Sequence, residues 1–324
     1  QNKENQALIA DAGGIPPLVE LVTSGTDEQK VQGAGALCKL ALDAENRTAI
    51  LEADGVPPLV ELVRSGTDEH KTQAAIVLRN LALNATNRIF IRVAGGIPPL
   101  VVLVSSGTTE HKTQAAGALR SLALDEENYV AIREGGGIPP LVALTSDGTS
   151  EQMRQAAGAL RNLVAFPTNE TAIREAGGIS SLVGLLGGDN TDHKTQAVGA
   201  LRGLALDVAC QTAIREADGI PPLVALAGGG TDEQKTNAAG TLRNLAADEL
   251  NKPAIRDAAG IAPLVELSKS DKPEQKTEAD GALFLLWTLI PELHYLWGNE
   301  RPKMPTSPVS PYVTLSSATY VTLN

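Results

Sequence analysis

One spacing constrains this chain more than any other feature. Gly14, Gly55, Gly96, Gly137, Gly178, Gly219 and Gly260 each precede a run of the I/V-P-P-L-V type, and successive members stand 41 residues apart without insertion. So strict a period means stacked supersecondary units, none of which can bury its apolar face alone. The 324 residues then need not divide into two separate cores, because a stacked array grows by addition. Aromatic residues make up only 3% of the chain, too few to build a stacking platform for nucleic-acid bases. The formal charge of −11 points the same way. Nucleic acid and anionic membrane are therefore not the expected partners. No apolar run is long enough to span a bilayer.

Residues 128–166 illustrate one unit. NYVAIREG reads as a short helix ending at a Gly pair (Asp-Gly in other units), which suits a left-handed C-terminal turn. I-P-P opens a second helix, where proline in the first turn costs no intrahelical hydrogen bond. The third piece starts at T-S-E-Q and runs about four turns. Thr26 with Gln29, and Thr149 with Gln152, match the spacing of a capping box. No stretch inside the units alternates with period two, so strands are not expected there. Asn46, Asn84 and Asn169 head N-x-T triplets at recurrent helix starts and read as caps rather than glycan acceptors.

Three helices per 41 residues, G-I-P-P-L-V opening the second and A-x-x-L-x-N-L-A closing the third, together resemble the armadillo repeat over residues 5–290. HEAT repeats fit less well, because they use two helices and lack this turn. The resemblance implies an all-α, right-handed superhelical solenoid of about seven units over residues 1–299, with residues 300–324 as an extended tail. It implies a concave groove lined by the third helices, a non-enzymatic protein, and an extended peptide or disordered protein segment as partner. No cofactor or metal is expected.

Within the third helix, the site that holds the family's ligand-binding Asn carries Lys39, Asn80, Ser121, Asn162, Gly203, Asn244 and Leu285. Such an Asn is implied to bond a ligand's backbone, for which an amide offers both donor and acceptor. Seven residues earlier stand Gln32, Gln73, Gln114, Gln155, Gln196, Asn237 and Glu278, and one residue earlier Cys38, Arg79, Arg120, Arg161, Arg202, Arg243 and Phe284. Helical spacing puts these positions on one face. The expected peptide-binding set is Gln73, Arg79, Asn80, Gln114, Arg120, Ser121, Gln155, Arg161, Asn162, Gln196, Arg202, Arg243 and Asn244. Two readings of the arginines stay open. They form a stripe that meets the ligand, or each pairs with a carboxylate of an adjacent repeat. Four residues before the Asn site, where nuclear-import members of the family hold Trp, the chain has Gly at every unit but one, Ile76. Classical nuclear-signal recognition is therefore not expected, and the glycines are read as floor space for a ligand. Four residues after the Asn site, Asp43, Asn84, Asp125, Asp207 and Asp248 either cap the next helix or read basic ligand residues.

His70, His111 and His193 recur at one position, a repeat or more apart, too far from one another to share a metal; they are expected on the surface. The run GGGTDEQKT (228–236) has Gln234 where a phosphate-binding loop needs Gly. Cys38 and Cys210 lie four units apart, too far for a disulfide, so a reduced, cytoplasmic or nuclear setting is expected. The last unit departs from pattern. Phe284, Leu285 and Trp287 replace small or polar residues, and Trp297, Tyr312 and Tyr320 follow. This apolar end is expected to be covered by the tail or used for self-contact. The tail has Arg301, Lys303 and no acid, and is expected to dock in its own groove or a neighbour's. The alternative is an assembly module that homodimerises through the apolar end without a groove ligand.

Overall fold

The computed structural model describes residues 3–287. Among the described residues it contains 21 helices and no strand. The chain divides into two compact units, residues 1–178 and 179–324. The first holds α1 (Lys3–Asp11), α2 (Ile15–Ser24), α3 (Asp27–Leu40), α4 (Ala44–Glu52), α5 (Val56–Ser65), α6 (Asp68–Leu81), α7 (Ala85–Val93), α8 (Ile97–Ser106), α9 (Thr109–Leu122), α10 (Glu126–Glu134), α11 (Ile138–Asp147), α12 (Ser150–Leu163) and α13 (Thr168–Glu175). The second holds α14 (Gly178–Gly187), α15 (Thr191–Leu204), α16 (Val208–Glu216), α17 (Ile220–Gly229), α18 (Asp232–Leu245), α19 (Asn251–Asp257), α20 (Ile261–Ser268) and α21 (Pro273–Leu286). The helices recur in sets of three, as the sequence pattern requires. Within each unit, successive third helices pack on one another: α3 on α6, α6 on α9, α9 on α12, and α15 on α18, α18 on α21. Each unit is thus a helical solenoid.

The turn between first and second helices explains its residue pair. Gly13, Asp54, Gly95, Gly136, Gly177, Asp218 and Ala259 all have positive φ, from 57° to 78°. The glycine that follows is needed for a different reason. At Gly55 a Cβ would lie 2.8 Å from the carbonyl oxygen of Ile50, so backbone meets backbone there. The second helix then starts with proline in its first turn, where no N–H is missed.

The third helices bury alanine and leucine together. Ala115, Ala116, Ala118, Leu119 and Leu122 of α9 are all fully buried. The alanines let neighbouring helices approach, and each leucine contributes about 1.5–3 kcal/mol by leaving water. Both expected capping boxes are present, at Thr26/Gln29 and Thr149/Gln152.

The histidines are not on the surface. His70 and His111 are each 2% exposed. They occupy the place of Gln29 and Gln152 in the box. His70 Nδ1 accepts from the Thr67 N–H at 3.2 Å, and its Nε2 lies 2.9 Å from the Asp27 carbonyl of the preceding third helix. His111 repeats this with Thr108 and the Asp68 carbonyl, at 3.3 and 2.8 Å. Gln152 and Gln234 do the same work with Oε1 and Nε2. An acceptor and a donor held in fixed relation are what the site demands, and imidazole supplies both. These residues cap one helix and clasp it to the previous repeat.

The N-x-T triplets resolve two ways. Asn84 caps α7 through the Asn87 N–H. Asn46 and Asn169 are instead buried inside their helices; the Asn169 amide donates to the Leu163 carbonyl at 2.9 Å. Phe284 and Leu285 are half-buried, and Trp287 is 7% exposed. Trp297, Tyr312, Tyr320 and the tail at 300–324 lie outside the described residues.

Candidate functional site

The third helices of the first unit bring Gln73, Arg79 and Asn80 of α6, Gln114, Arg120 and Ser121 of α9, and Gln155, Arg161 and Asn162 of α12 onto successive rungs of one face. Gln155 is buried and the other eight are half-buried. In the second unit, Gln196 and Arg202 of α15 and Arg243 and Asn244 of α18 occupy the matching positions.

The arginines are fixed by the glycines. A Cβ built on Gly117 would lie 2.8 Å from Arg79 Nε, and one on Gly158 would lie 2.5 Å from Arg120 Nε. Arg202 lies over Gly240 and Arg243 over Gly281 in the same way. At Gly117, Gly158, Gly240 and Gly281 the glycine floor is therefore not open to a ligand, whereas at Gly35 only Gln73 Oε1 comes near, at 3.7 Å. At those four sites it is filled by the arginine stem of the repeat before. The exception supports the rule: Ile76 stands where the preceding rung carries Cys38 instead of Arg.

The guanidinium then reaches the next rung's Gln position. Arg79 Nη1 donates to Gln114 Oε1 at 3.0 Å and Arg120 Nη1 to Gln155 Oε1 at 3.4 Å. Arg202 donates to Asn237 Oδ1 at 3.1 Å. In the second unit a carboxylate enters. Glu278, 2% exposed, receives Arg202 Nη2 at 2.5 Å and Arg243 Nη1 at 3.0 Å. The pairing reading of the arginines thus holds in part. In the second unit they pair with an acid, and in the first Arg79 and Arg120 bond to amides. Burial pushes the Arg79 guanidinium below its ordinary value. Burial, with the neighbouring cations Arg154, Arg161 and Arg79, lowers Arg120 to about 10.

The asparagines also bridge repeats. Asn80 Nδ2 donates to the Cys38 carbonyl at 3.2 Å, Asn162 Nδ2 to Arg120 at 2.9 Å, and Asn244 Nδ2 to Arg202 at 3.2 Å. One N–H of each amide is used. For Asn80 and Asn162, Oδ1 and the second N–H keep no partner among the described residues. Asp43, Asn84 and Asp207 cap the helix that follows, which commits one side-chain oxygen of each to backbone N–H groups. Glu278 was missing from the expected set. Its signal was present: it is the one acid at a position otherwise filled by amides.

Among the described residues, no single helix is long and apolar enough to cross a membrane. The armadillo/beta-catenin-like repeat family model matches residues 43–83, 84–124, 125–165 and 207–247, just over half of the chain. No curated protein matches. Among solved structures, an engineered protein is 35% identical with a TM-score of 0.83, covering 88% of this chain and 71% of its own. A designed armadillo repeat protein is 26% identical with a TM-score of 0.68, covering 71% of this chain and 99% of its own. Another, solved with the peptide (KR)4, is 24% identical with a TM-score of 0.66 and the same two coverages.

Proposed function

Because the chain belongs to the armadillo/beta-catenin-like repeat family, we propose that it is a non-catalytic scaffold whose third-helix face in the first unit holds an extended segment of a partner protein. The observation that carries this reading is the pair Asn80 and Asn162. Each amide is oriented by one bond to the preceding rung, and each keeps a donor and an acceptor uncommitted. A side chain held in this way can bond both the N–H and the C=O of an extended backbone without paying again for its own ordering. The two sit on alternate rungs of a face on which Arg79, Gln114, Arg120 and Gln155 are held by bonds to neighbours.

The test is peptide capture by the full chain, read by fluorescence anisotropy, against the Asn80→Ala/Asn162→Ala variant. A loss of affinity of about tenfold or more, for up to four bonds worth about 0.5–1.5 kcal/mol each, supports the reading. Unchanged affinity in the folded variant refutes it. The chain's own tail is a candidate occupant. A dimer that becomes a monomer on removal of residues 300–324, seen by light scattering, would assign the tail as a ligand in trans. A dimer that survives both this and the asparagine changes would instead favour assembly through the apolar end.

A further inference from the structure

The second unit shows what this arginine row does when a carboxylate is within reach. Arg202 and Arg243, from successive third helices, converge on one acid, Glu278, of the next. The matching positions in the first unit are Arg79, Arg120 and Gln155, and Gln155 is neutral. The carboxylates nearby are Glu110 and Glu151. Glu151 is held by Arg154, at 2.9 and 2.6 Å, and by Gln155 Nε2 at 2.7 Å. Glu110 accepts from Gln114. Among the described residues neither is within ion-pair distance of Arg79 or Arg120, so the row keeps its charge without a partner acid. Burial and the crowding of cations already disfavour the charged form of Arg120, which is the strain an incoming anion relieves.

We propose that Arg79 and Arg120 form a carboxylate-binding site, and that the segment received by the first unit is acidic, with an Asp or Glu taking the place that Glu278 fills in the second. This rests on the peptide-binding reading above. The guanidinium offers five donors in a planar fork, and only one bond from each of these arginines is committed, so a carboxylate has donors to meet. The preorganisation is supplied by Gly117 and Gly158, over which the two stems lie. The chain's own residues 301–324 carry Arg301, Lys303 and no acid, so the charge favours a foreign acidic segment over the tail. The designed protein solved with (KR)4 shares the fold with this chain.

The experiment compares labelled (Gly-Glu)4, (Gly-Gln)4 and (Lys-Arg)4 on the full chain by fluorescence anisotropy, at low and high salt. The expected result is binding of (Gly-Glu)4 at least about tenfold tighter than (Gly-Gln)4, as one charge-assisted contact supplies. Gln155→Glu places an acid where Glu278 stands in the second unit, and should erase that preference; the new pairing with Arg120 is offset by loss of the bond from Gln155 Nε2 to Glu151, so the melting temperature should move little. Arg120→Gln should erase it too. Equal affinity for the acidic and amide peptides overturns the carboxylate site and leaves the groove standing. A preference that persists in Gln155→Glu also overturns it, because the acid is then read elsewhere. Failure of all three peptides to bind overturns both this inference and the groove.

Discussion

Replacing Glu278 by Gln keeps the side chain's volume and changes one oxygen to NH2. Both carboxylate oxygens now accept a charged donor, Arg202 at 2.5 Å and Arg243 at 3.0 Å. In the variant one of these becomes a donor facing a donor and is lost, at about 1.5–3 kcal/mol. The other becomes a bond to a neutral acceptor, weaker by about 1 kcal/mol. The sum is reduced by water, because the Arg202 and Arg243 side chains are 17% and 27% exposed and recover part of their hydration. A net destabilisation of about 2 kcal/mol is expected. Urea denaturation followed by circular dichroism measures it, as a lower midpoint at unchanged slope, with a shift of roughly 1 M for a slope of about 2 kcal/mol/M. High salt should change the difference little, since the acid is buried. A double-mutant cycle with Arg243→Gln should show coupling of about 1 kcal/mol. A change below about 0.5 kcal/mol, or zero coupling, refutes the view that this carboxylate organises the two arginines.

Further outcomes follow from other rungs. Gly158→Ala puts a Cβ 2.5 Å from Arg120 Nε, so it should evict the arginine and abolish the preference for acidic peptides. Its melting temperature should move little, because a helical Ala gains about 1 kcal/mol over Gly. His70→Gln should be neutral within about 0.5 kcal/mol, since Gln152 makes the same two bonds, whereas His70→Ala should cost about 2 kcal/mol in urea melts. Ala259 has φ of 59° and is exposed; Ala259→Gly should raise stability by about 1 kcal/mol, and a fall would contradict the turn assignment. Burial raises the Cys38 thiol pKa, against the lowering by Lys39 and Arg79. Less thiolate is then present at mildly alkaline pH, so iodoacetamide should label Cys38 more slowly than a small free thiol.

Much of this architecture was legible in the sequence. The 41-residue period, the proline-opened second helix and the Thr-x-x-Gln boxes are local signals, and local chemistry fixed them. What could not be read were the distances between repeats. The glycines of the third helices looked like room for a ligand. They are room for Arg79, Arg120, Arg202 and Arg243, a contact some 38 residues away along the chain. The histidines looked polar and therefore exposed; the clue was that they align with Gln29 and Gln152, whose role an imidazole can copy. Asn46 sits three residues past its helix's N-cap, Asp43, and Asn169 two past Pro167, and both turn inward. The charge of the ligand stayed open because the sequence sets an Arg row beside an Asp row. The pairing in space shows that Glu278 has its arginines, while Gln155 leaves two guanidinium groups without an acid.

The account rests on Arg79 and Arg120 meeting a ligand. Their side-chain Nε–Hε signals, followed by NMR during titration of the full chain with (Gly-Glu)4, test that most directly. Both signals should move together and saturate with the dissociation constant found by anisotropy, while those of Arg202 and Arg243, already held by Glu278, stay in place. Saturable binding that leaves Arg79 and Arg120 unmoved would contradict the account.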